Sequence, residues 1–354
     1  MQKLSILRFS PNRFTIQLSI AVLLLILSLL CGISFGSVTI PFSEIVQILF
    51  AFITGQSITE IPSSTISIVT NIRLPRVILA ALVGASLAIA GAAFQGLLQN
   101  PLADPYTLGI SSGASLGAVL TIFLQLSLPF ISFLTLPIMS ILCSFLTIFL
   151  VIQFTQLLDR QMKVESLILT GIIISSFLGS IISLIISLTG EELRQIIGWL
   201  LGSVGMRGWS HIGVLIPFLS IGLIILLLSS RELDIISFGE DRARHLGVNV
   251  KRKNGWYLVG SSIVTGAAVA VSGTIGFVGL VIPHFVRLLF GPTHSRLLPL
   301  SFIYGASFLI WADLCARTII QPSELPIGVL TSLIGAPVFG LLLVQRKRER
   351  RGSV

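Results

Sequence analysis

Charged side chains are scarce in this 354-residue chain, and their scarcity excludes a soluble globular domain. Only 10% of the residues are charged, whereas 54% are hydrophobic. Soluble domains carry about a quarter charged residues, so the excess apolar surface is expected to face lipid. The formal charge of +9 is confined to particular positions along the chain. We therefore interpret this charge from the positions of the basic residues along the chain, and we expect no nucleic-acid partner.

The chain also lacks the residue patterns of disulfides, metal sites and nucleotide hydrolysis. Its three cysteines, Cys31, Cys143 and Cys315, lie inside apolar runs without CxxC spacing and are typical of small core residues. None of the five lysines follows a glycine, and no HExxH is present, so a Walker A lysine and a zincin site are excluded. We expect no metal and no cofactor, and a partner must supply any energy that the protein uses.

Long apolar runs are what the chain has instead. A helix needs about 20 apolar residues to cross a bilayer. The first run is too long for a signal peptide, whose apolar region spans about 7–15 residues, so we interpret it as an uncleaved span. The seventh and eighth runs are short and joined by Ser272-Gly273-Thr274, so a single re-entrant unit is the alternative to two spans. The ten predicted spans are 14–33, 77–98, 107–126, 131–154, 165–188, 211–229, 255–271, 276–289, 298–316 and 325–344.

The basic residues predict the orientation of these spans. With ten spans and a cytoplasmic N-terminus, 18 of the 23 lysines and arginines lie in cytoplasmic segments, including Lys3, Arg8, Arg160 and the basic tail. This asymmetry is the one that the positive-inside rule expects when both termini are cytoplasmic. Merging spans seven and eight would place the basic tail outside, which favours the count of ten.

Small residues at helical spacing indicate close helix packing. Gly84, Ala88, Ala92 and Gly96 form one column on the second span, where a neighbouring backbone can approach. The helix must break between Asn100 and Pro105, because prolines at 101 and 105 cannot continue it. Span ten repeats the column with Gly328, Ser332, Ala336 and Gly340, and Pro337 bends it. The Gly/Ser faces of spans two, five, eight and ten are our candidates for cavity walls and subunit contacts; the residues assigned to pathway and packing in these spans and their breaks are Gly84, Ala88, Gly91, Gln95, Asn100, Pro101, Gly276, Pro283, His284, Gly328, Gly335 and Pro337.

Span eight places Pro283 and His284 at membrane depth. A proton relay or a metal site is one interpretation of this histidine. A structural histidine beside a proline kink is the favoured one, because no second histidine or cysteine stands at ligand spacing.

The longest polar loop, 230–254, contains a short helical pattern. Ser237 and Glu240 fit a capping box, basic residues occupy the last turn, and Gly247 can end the helix in the left-handed conformation. The alternatives are a solvated connector and a docking element for a partner, and we favour docking. The residues assigned to this element are Gly239, Glu240, Arg242, Ala243, Arg244, His245, Leu246 and Gly247.

A group of arginines stands on the predicted outer face, against the orientation rule. Arg73 and Arg76 precede span two, and Arg317 follows span nine. An ion pair with Glu324 or Glu60, or headgroup snorkelling, would explain them structurally. A positive docking patch for an acidic partner is the functional alternative. The residue pattern does not choose between the two.

A G-x-S-x-G match at Gly109–Gly113 suggests a remote alternative. An intramembrane serine protease would pair Ser111 with a histidine on a facing helix, His284 or His211. A hydrolase elbow, however, requires a strand before the serine, and here an apolar span begins. Small residues at a helix start explain the match better.

Taken together, these motifs resemble the FecCD/BtuC-type permease family of ABC importers for iron–siderophore complexes, haem and vitamin B12. Gln99 departs from the family, whose members often carry a charged residue before Asn-Pro. The matching motifs are Arg73-Leu-Pro-Arg76, Gly84-Ala-x-Leu-Ala-x-Ala-Gly91 with Gln95, Asn100-Pro-Leu-Ala-Asp-Pro105, Gly239-Glu240, Leu246-Gly247-Val248, Gly276-Phe-Val-Gly-Leu-Val-Ile-Pro-His284, Asp313 with Arg317, and Glu324-Leu-Pro-x-Gly328 through Gly335-Ala-Pro337.

The resemblance implies an all-α, multi-pass permease of the cytoplasmic membrane with about ten transmembrane helices per subunit. It further implies a second permease copy or a paralogue, two cytoplasmic ABC ATPase subunits and an extracytoplasmic substrate-binding (lipo)protein. Residues 239–247 would be the ATPase-coupling helix, and Arg73, Arg76 and Arg317 would dock the binding protein. We expect an iron(III)–siderophore cargo, with cobalamin or haem as the alternative, and no chemistry performed by this chain.

Overall fold

The computed structural model describes residues 11–36, 38–56, 61–129, 131–159 and 163–352, and among these every regular element is a helix. Lys3, Arg8, Glu60 and Arg160 lie outside the described residues. The α-helices are α1 Pro11–Ser34, α2 Phe42–Thr54, α3 Ser63–Ser67, α4 Leu74–Leu97, α5 Ile110–Phe123, α6 Thr135–Leu158, α7 Val164–Leu188, α8 Leu193–Leu200, α9 Gly208–Leu228, α10 Ser230–Ile236, α11 Glu240–His245, α12 Val250–Ser272, α13 Val278–Phe290, α14 His294–Thr318 and α15 Ile327–Gly352.

Helix α4 is the centre of the bundle, and its residues explain why. It packs on α14, α12, α13 and α9, and 83% of its most apolar stretch is buried. A Cβ on Gly84 would lie 2.2 Å from the carbonyl oxygen of Gly305 in α14. A Cβ on Gly305 would in turn lie 2.4 Å from that of Ala88. The close helix contact predicted from the small-residue column is therefore confirmed, and it lies inside the subunit.

Helix α1 contrasts with α4 because it lies at the edge of the bundle. Only 22% of its most apolar stretch is buried, and Ile16, Leu23 and Leu27 are more than half exposed. Apolar side chains exposed along a whole helix face are expected to contact lipid acyl chains.

A helix lies over each of the ten predicted spans, but they differ in length. Among the described residues, seven helices are long and apolar enough to cross a membrane. The helices over spans three and eight, α5 and α13, have 14 and 13 residues and are thus about 21 and 20 Å long. The apolar part of α15, Ile327–Gly340, is also short. Each is shorter than the ~30 Å hydrocarbon core.

The short helices begin in the interior of the bundle. A Cβ on Gly279, in the first turn of α13, would lie 2.9 Å from the carbonyl oxygen of Leu87 and 3.4 Å from Cδ of Pro105. Leu87 lies ten residues before the end of α4, which is about 15 Å along the helix. The chain therefore turns back after α4, and both α5 and α13 start near mid-depth. Ser272 and Val278 belong to separate helices, joined by residues 273–277.

Candidate functional site

Four segments that connect the α-helices meet next to these helix starts and satisfy one another's polar groups. Tyr106 accepts a hydrogen bond at its hydroxyl from the backbone N–H of Ile275, at 2.8 Å. The N–H of Ser203 donates to the carbonyl of Ser272 at 2.7 Å, and that of Ile327 to the carbonyl of Gly202 at 3.0 Å. Irregular backbone is tolerated at membrane depth only when it is buried in protein or lines a cavity. The junction meets that condition.

Glycine allows these segments to approach each other. A Cβ on Gly328, at the start of α15, would lie 2.5 Å from two carbonyl oxygens, those of Leu201 and Thr274. A Cβ on Gly335 would lie 2.6 Å from that of Phe277. Gly340, in contrast, has no atom within 4 Å of a Cβ. The small-residue column of span ten therefore packs within the subunit at Gly328 but leaves Gly340 open.

A cavity of about 530 Å³ opens at this junction, and none of its lining residues is charged. A cavity with this lining recognises a ligand by its shape and by a few hydroxyl and backbone groups rather than by its charge. Its lining residues are Tyr106, Leu200, Leu201, Thr274, Gly276, Gly328, Val329, Ser332 and Leu333.

A second cavity, of about 690 Å³, lies near the other end of α4. Gln95 is 3% exposed, and its Nε2 donates to the carbonyl of Leu280 at 3.1 Å, which joins α4 to α13. His284 is also buried, and its ring lies edge-on to that of Phe339, 5.8 Å away. Pro101 borders the cavity, and Asn100 accepts a hydrogen bond from the N–H of Leu102 at 2.9 Å. Gln95, His284 and Pro101 thus share one cavity, while Asn100 shapes the turn after α4.

Helix α11 stands on the same end of the bundle, which we call the loop face because it carries loop 230–254. Ala243 is fully buried, whereas Arg242, Arg244 and His245 are exposed. Phe238 and Leu246 expose 74% and 71% of their surface at the two ends of the helix. An anchored helix that presents cationic and large apolar side chains is suited to contact with a partner.

The ends of α11 were predicted with mixed success. Gly247 has a φ of 82° and ends the helix region in the left-handed conformation, as predicted. The capping box is wrong, because Gly239 occupies the N-cap position and the Ser237 hydroxyl donates to the carbonyl of Leu233. The hydroxyl is used by the preceding helix α10, which ends only at Ile236.

Arg73, Arg76 and Arg317 gather at the opposite end of the bundle, the arginine face. Arg73 is 5% exposed, and its Nη1 donates to the carbonyls of Ile33 and Ser34 at 2.7 and 2.9 Å. Arg317 is 8% exposed and donates to the carbonyl of Gly32. These carbonyls end α1 and have no partner within the helix, so the two arginines cap its negative end.

Arg76 forms ion pairs with two carboxylates. Its Nη2 lies 2.9 Å from Oδ1 of Asp313, which is 1% exposed, and its Nη1 lies 2.8 Å from Oε1 of Glu324, which is 48% exposed. The hydrogen bonds from Arg76 hold the pKa of the Glu324 carboxyl below its ordinary value. The ion-pair alternative with Glu324 is thus formed, and Asp313 also lies 3.6 Å from Nε of Arg317. Whether these arginines also dock a partner stays a prediction.

The sequence analysis did not identify two polar residues of the site, Tyr106 and Asp234. Tyr106 accepts from Ile275 across 169 positions of the chain. Asp234 in α10 accepts from His294 at the start of α14, 60 positions away. Such pairs depend on which helix breaks meet in three dimensions, and periodicity along one helix does not report that. In the part of the chain that the structure describes, no three metal-ligating side chains come together.

The fold and its broken-helix junction define a multi-pass membrane permease rather than an enzyme. Residues 23–345 match the FecCD transport family, and the chain belongs to that family. It is 53% identical over 345 residues to an uncharacterized ABC transporter permease protein of Bacillus subtilis, YvrB, with 98% of each chain covered. It is 41% identical to the hemin transport system permease protein HmuU of Yersinia pestis, over 80% of this chain and 84% of that protein.

A solved structure agrees with this assignment. The chain superposes with a TM-score of 0.81 and 32% identity on an inward-facing conformation of a metal-chelate type ABC transporter, covering 93% of this chain and 98% of the other. The protein is therefore an ABC importer permease, which works with separate ATPase subunits and performs no catalysis itself. The serine-protease alternative is excluded by this membership.

Proposed function

We propose that this permease imports an iron(III)–siderophore complex across the cytoplasmic membrane, paired with a second copy or a paralogue. The observation that carries the proposal is the cavity at mid-depth, which is lined by small, apolar and hydroxyl side chains without charge. A chelator encloses its metal ion, so the complex offers a bulky organic surface rather than a bare charge. A pathway that recognises shape suits such a cargo.

Haem and cobalamin remain the alternatives within the same function. Both are bulky metal chelates, and the relative from Yersinia pestis is named for hemin. The cavity chemistry supports all three cargoes, since no side chain that lines it would select for the charge of one of them. The choice among them rests on an uptake measurement.

The loop face is proposed to receive the ATPase pair through α11. The support is its exposed surface, in which three basic residues stand between Phe238 and Leu246. The chain would alternate between outward- and inward-open states as the ATPases close and open.

The arginine face is proposed to receive the substrate-binding protein. Arg76 is the arginine best placed for it, because its side chain keeps 11% of its surface exposed and ends in an ion pair with the half-exposed Glu324. Arg73 and Arg317 would contribute through the field of their charges and by fixing the end of α1. Their burial makes them poor candidates for direct contact.

The orientation gives a direct prediction. Loop 230–254 should lie in the cytoplasm, because it holds a cluster of basic residues. A cysteine introduced at His245, in a background without Cys31, Cys143 and Cys315, should resist an impermeant thiol reagent in whole cells and react in inverted vesicles. A cysteine at Gln321, beyond the end of α14, should show the opposite pattern. Labelling of His245→Cys in whole cells would refute the orientation.

The cargo gives a second prediction. Cells that lack their own metal-chelate permeases, and that express this chain with its ATPase and binding protein, should take up iron-labelled siderophore. Uptake of labelled cobalamin or haem should stay at background. Accumulation of either one with no siderophore uptake would replace the cargo assignment while leaving the permease assignment intact.

A matched pair of variants on α15 tests whether the cargo passes the mid-depth cavity. Ser332→Leu adds bulk to the lining and should lower uptake by about tenfold or more, the loss expected when about 1.4 kcal/mol is added to the barrier. Gly340→Leu places the same side chain two turns further on, where space is open, and uptake should stay close to wild type. Equal uptake by the two variants would place the pathway elsewhere.

A further inference from the structure

Helix α10 is the element through which α11 is attached to the bundle. It ends at Ile236, only four residues before α11 begins. Leu233 and Ile236 are fully buried, so α10 is fixed to the bundle, whereas Ala243 alone is buried among the side chains of α11 whose exposure is described. A displacement of α11 must therefore reach the transmembrane helices through α10 or through the start of α12.

Side chains from three other parts of the chain bind α10. Nε2 of Gln99, just after α4, donates to the carbonyl of Ile236 at 3.1 Å. From α12, Tyr257 donates to the carbonyl of Ser229 at the start of α10, and Lys253 pairs with Glu232. The contact to α14 is made by Asp234. Helix α10 is thus linked to α4, α12 and α14 at once.

The contact between Asp234 and α14 has the most specific geometry of these. Oδ1 of Asp234 accepts from two nitrogens of one residue, the backbone N–H of His294 at 2.5 Å and its ring Nδ1 at 2.8 Å. His294 is the first residue of α14, where backbone N–H groups have no partner within the helix. A carboxylate at this position is also favoured by the helix dipole.

The surroundings of His294 keep this contact in place. Its side chain is 5% exposed. A Cβ on Gly96 of α4 would lie 2.4 Å from Nε2 of His294 and 3.0 Å from Cδ2 of Leu233. Glycine at this position therefore lets α4, α10 and His294 pack together. The imidazole lies between α4 and α10, and it also borders the second cavity.

Helix α14 then continues to the arginine face. Asp313, near its other end, binds Arg76, which also binds Glu324. Along its length α14 packs on α4 through the contact of Gly305 with Gly84 and Ala88. One continuous helix thus connects a hydrogen-bonded contact beside α11 with an ion-pair cluster at the opposite face.

We propose that Asp234 and His294 are positioning residues for energy coupling: their contact transmits movement of α11 to α14 and from there to the arginine face. The proposal rests on the proposed role of α11 as the ATPase contact. A contiguous chain of contacts makes such coupling physically reasonable, and only a measured coupling establishes it. Since coupling between two binding equilibria is reciprocal, docking of the binding protein should act back on α11 through the same contact.

The test uses the full importer in proteoliposomes and measures two ratios. One is chelate transported per ATP hydrolysed, with whichever chelate the wild-type complex takes up. The other is the stimulation of ATP hydrolysis by the binding protein. Asp234→Ala and His294→Ala should each lower both ratios by about tenfold, while hydrolysis without binding protein stays within about twofold of wild type.

Two further variants separate positioning from folding. In His294→Asn the side-chain N–H₂ group can replace Nδ1 as donor to Asp234, so it should recover most of both ratios. Glu232→Ala removes another acid of α10, but its pair with Lys253 is partly exposed and worth little, so both ratios should stay close to wild type.

Three outcomes would overturn the proposal. Unchanged ratios in Asp234→Ala would show that the contact transmits nothing. A fall of transport and of basal hydrolysis together, with a constant ratio, would show a structural role only. If both ratios fell as far in His294→Asn as in His294→Ala, the effect would not depend on the hydrogen bond to Asp234. If the cargo assignment is wrong, a different labelled chelate is used, and the comparison between the variants stays the same.

Discussion

Replacing Gly91 with alanine is expected to abolish both stable folding and transport. A Cβ at this position would lie 1.8 Å from the carbonyl oxygen of Gly279 and 2.4 Å from its carbonyl carbon. Both are backbone atoms, so no rotamer change relieves the clash, and α4 and α13 must move apart. Overpacking of a core costs about 1–3 kcal/mol and occasionally more. Here the separation also opens the junction at Pro105, so we expect a loss above about 3 kcal/mol.

The measurements are the midpoint of thermal unfolding in detergent and the uptake of the labelled chelate. Gly213→Ala is the matched control, because Gly213 also lies inside a long helix, α9, and has no atom within 4 Å of a Cβ. There alanine should be neutral or stabilising by up to about 1 kcal/mol, through its higher helix propensity. Equal stability of the two variants would contradict the close contact of α4 with α13.

The sequence predicted well what depends on neighbours along one helix. A run of about 20 apolar residues and a column of small residues are local patterns, and they correctly placed α1, α4 and the contact of Gly84 with a neighbouring backbone. The break between α4 and α5 follows from the prolines at 101 and 105, although α4 already ends at Leu97, before the predicted hinge between Asn100 and Pro105. The left-handed Gly247 follows from the usual ending of a helix.

The depth of the helix breaks could not be predicted, because it is set by tertiary contacts. Span three begins near mid-depth only because Pro105 packs against Gly279 of another helix. Likewise α15 begins where Ile327 can donate to the carbonyl of Gly202. In both places a helix begins where a distant segment packs against its start or satisfies its backbone, and a hydropathy window contains no such information.

The roles of the charged residues were also only partly predictable from the sequence. The sequence identified the three arginines of the arginine face but left their roles open. Two of them cap the end of α1, an element about 40 positions from Arg73 and 285 positions from Arg317. The capping box at Ser237 failed for the opposite reason. Its pattern was local and correct in spacing, but α10 continues far enough to occupy the hydroxyl.

Asp313 is expected to stabilise the arginine face more than any other single side chain in it. It is 1% exposed and lies 2.9 Å from Nη2 of Arg76 and 3.6 Å from Nε of Arg317. Asp313→Ala leaves two buried guanidinium groups without their shared carboxylate. Breaking a buried pair by removing one partner costs about 3–5 kcal/mol, because the remaining charge is uncompensated.

The expected result is a large fall in the unfolding midpoint of Asp313→Ala in detergent, together with loss of uptake. Asp241→Ala is the matched control, because Asp241 is 94% exposed and its pair with Arg244 spans 4.0 Å, so its removal should change stability by less than about 0.5 kcal/mol. Asp313→Asn keeps an oxygen that accepts a hydrogen bond from Arg76, so its unfolding midpoint should fall less than that of Asp313→Ala. If Asp313→Ala were no less stable than Asp241→Ala, the arginine face would be held by the backbone contacts of Arg73 and Arg317, and the ion pairs would contribute little.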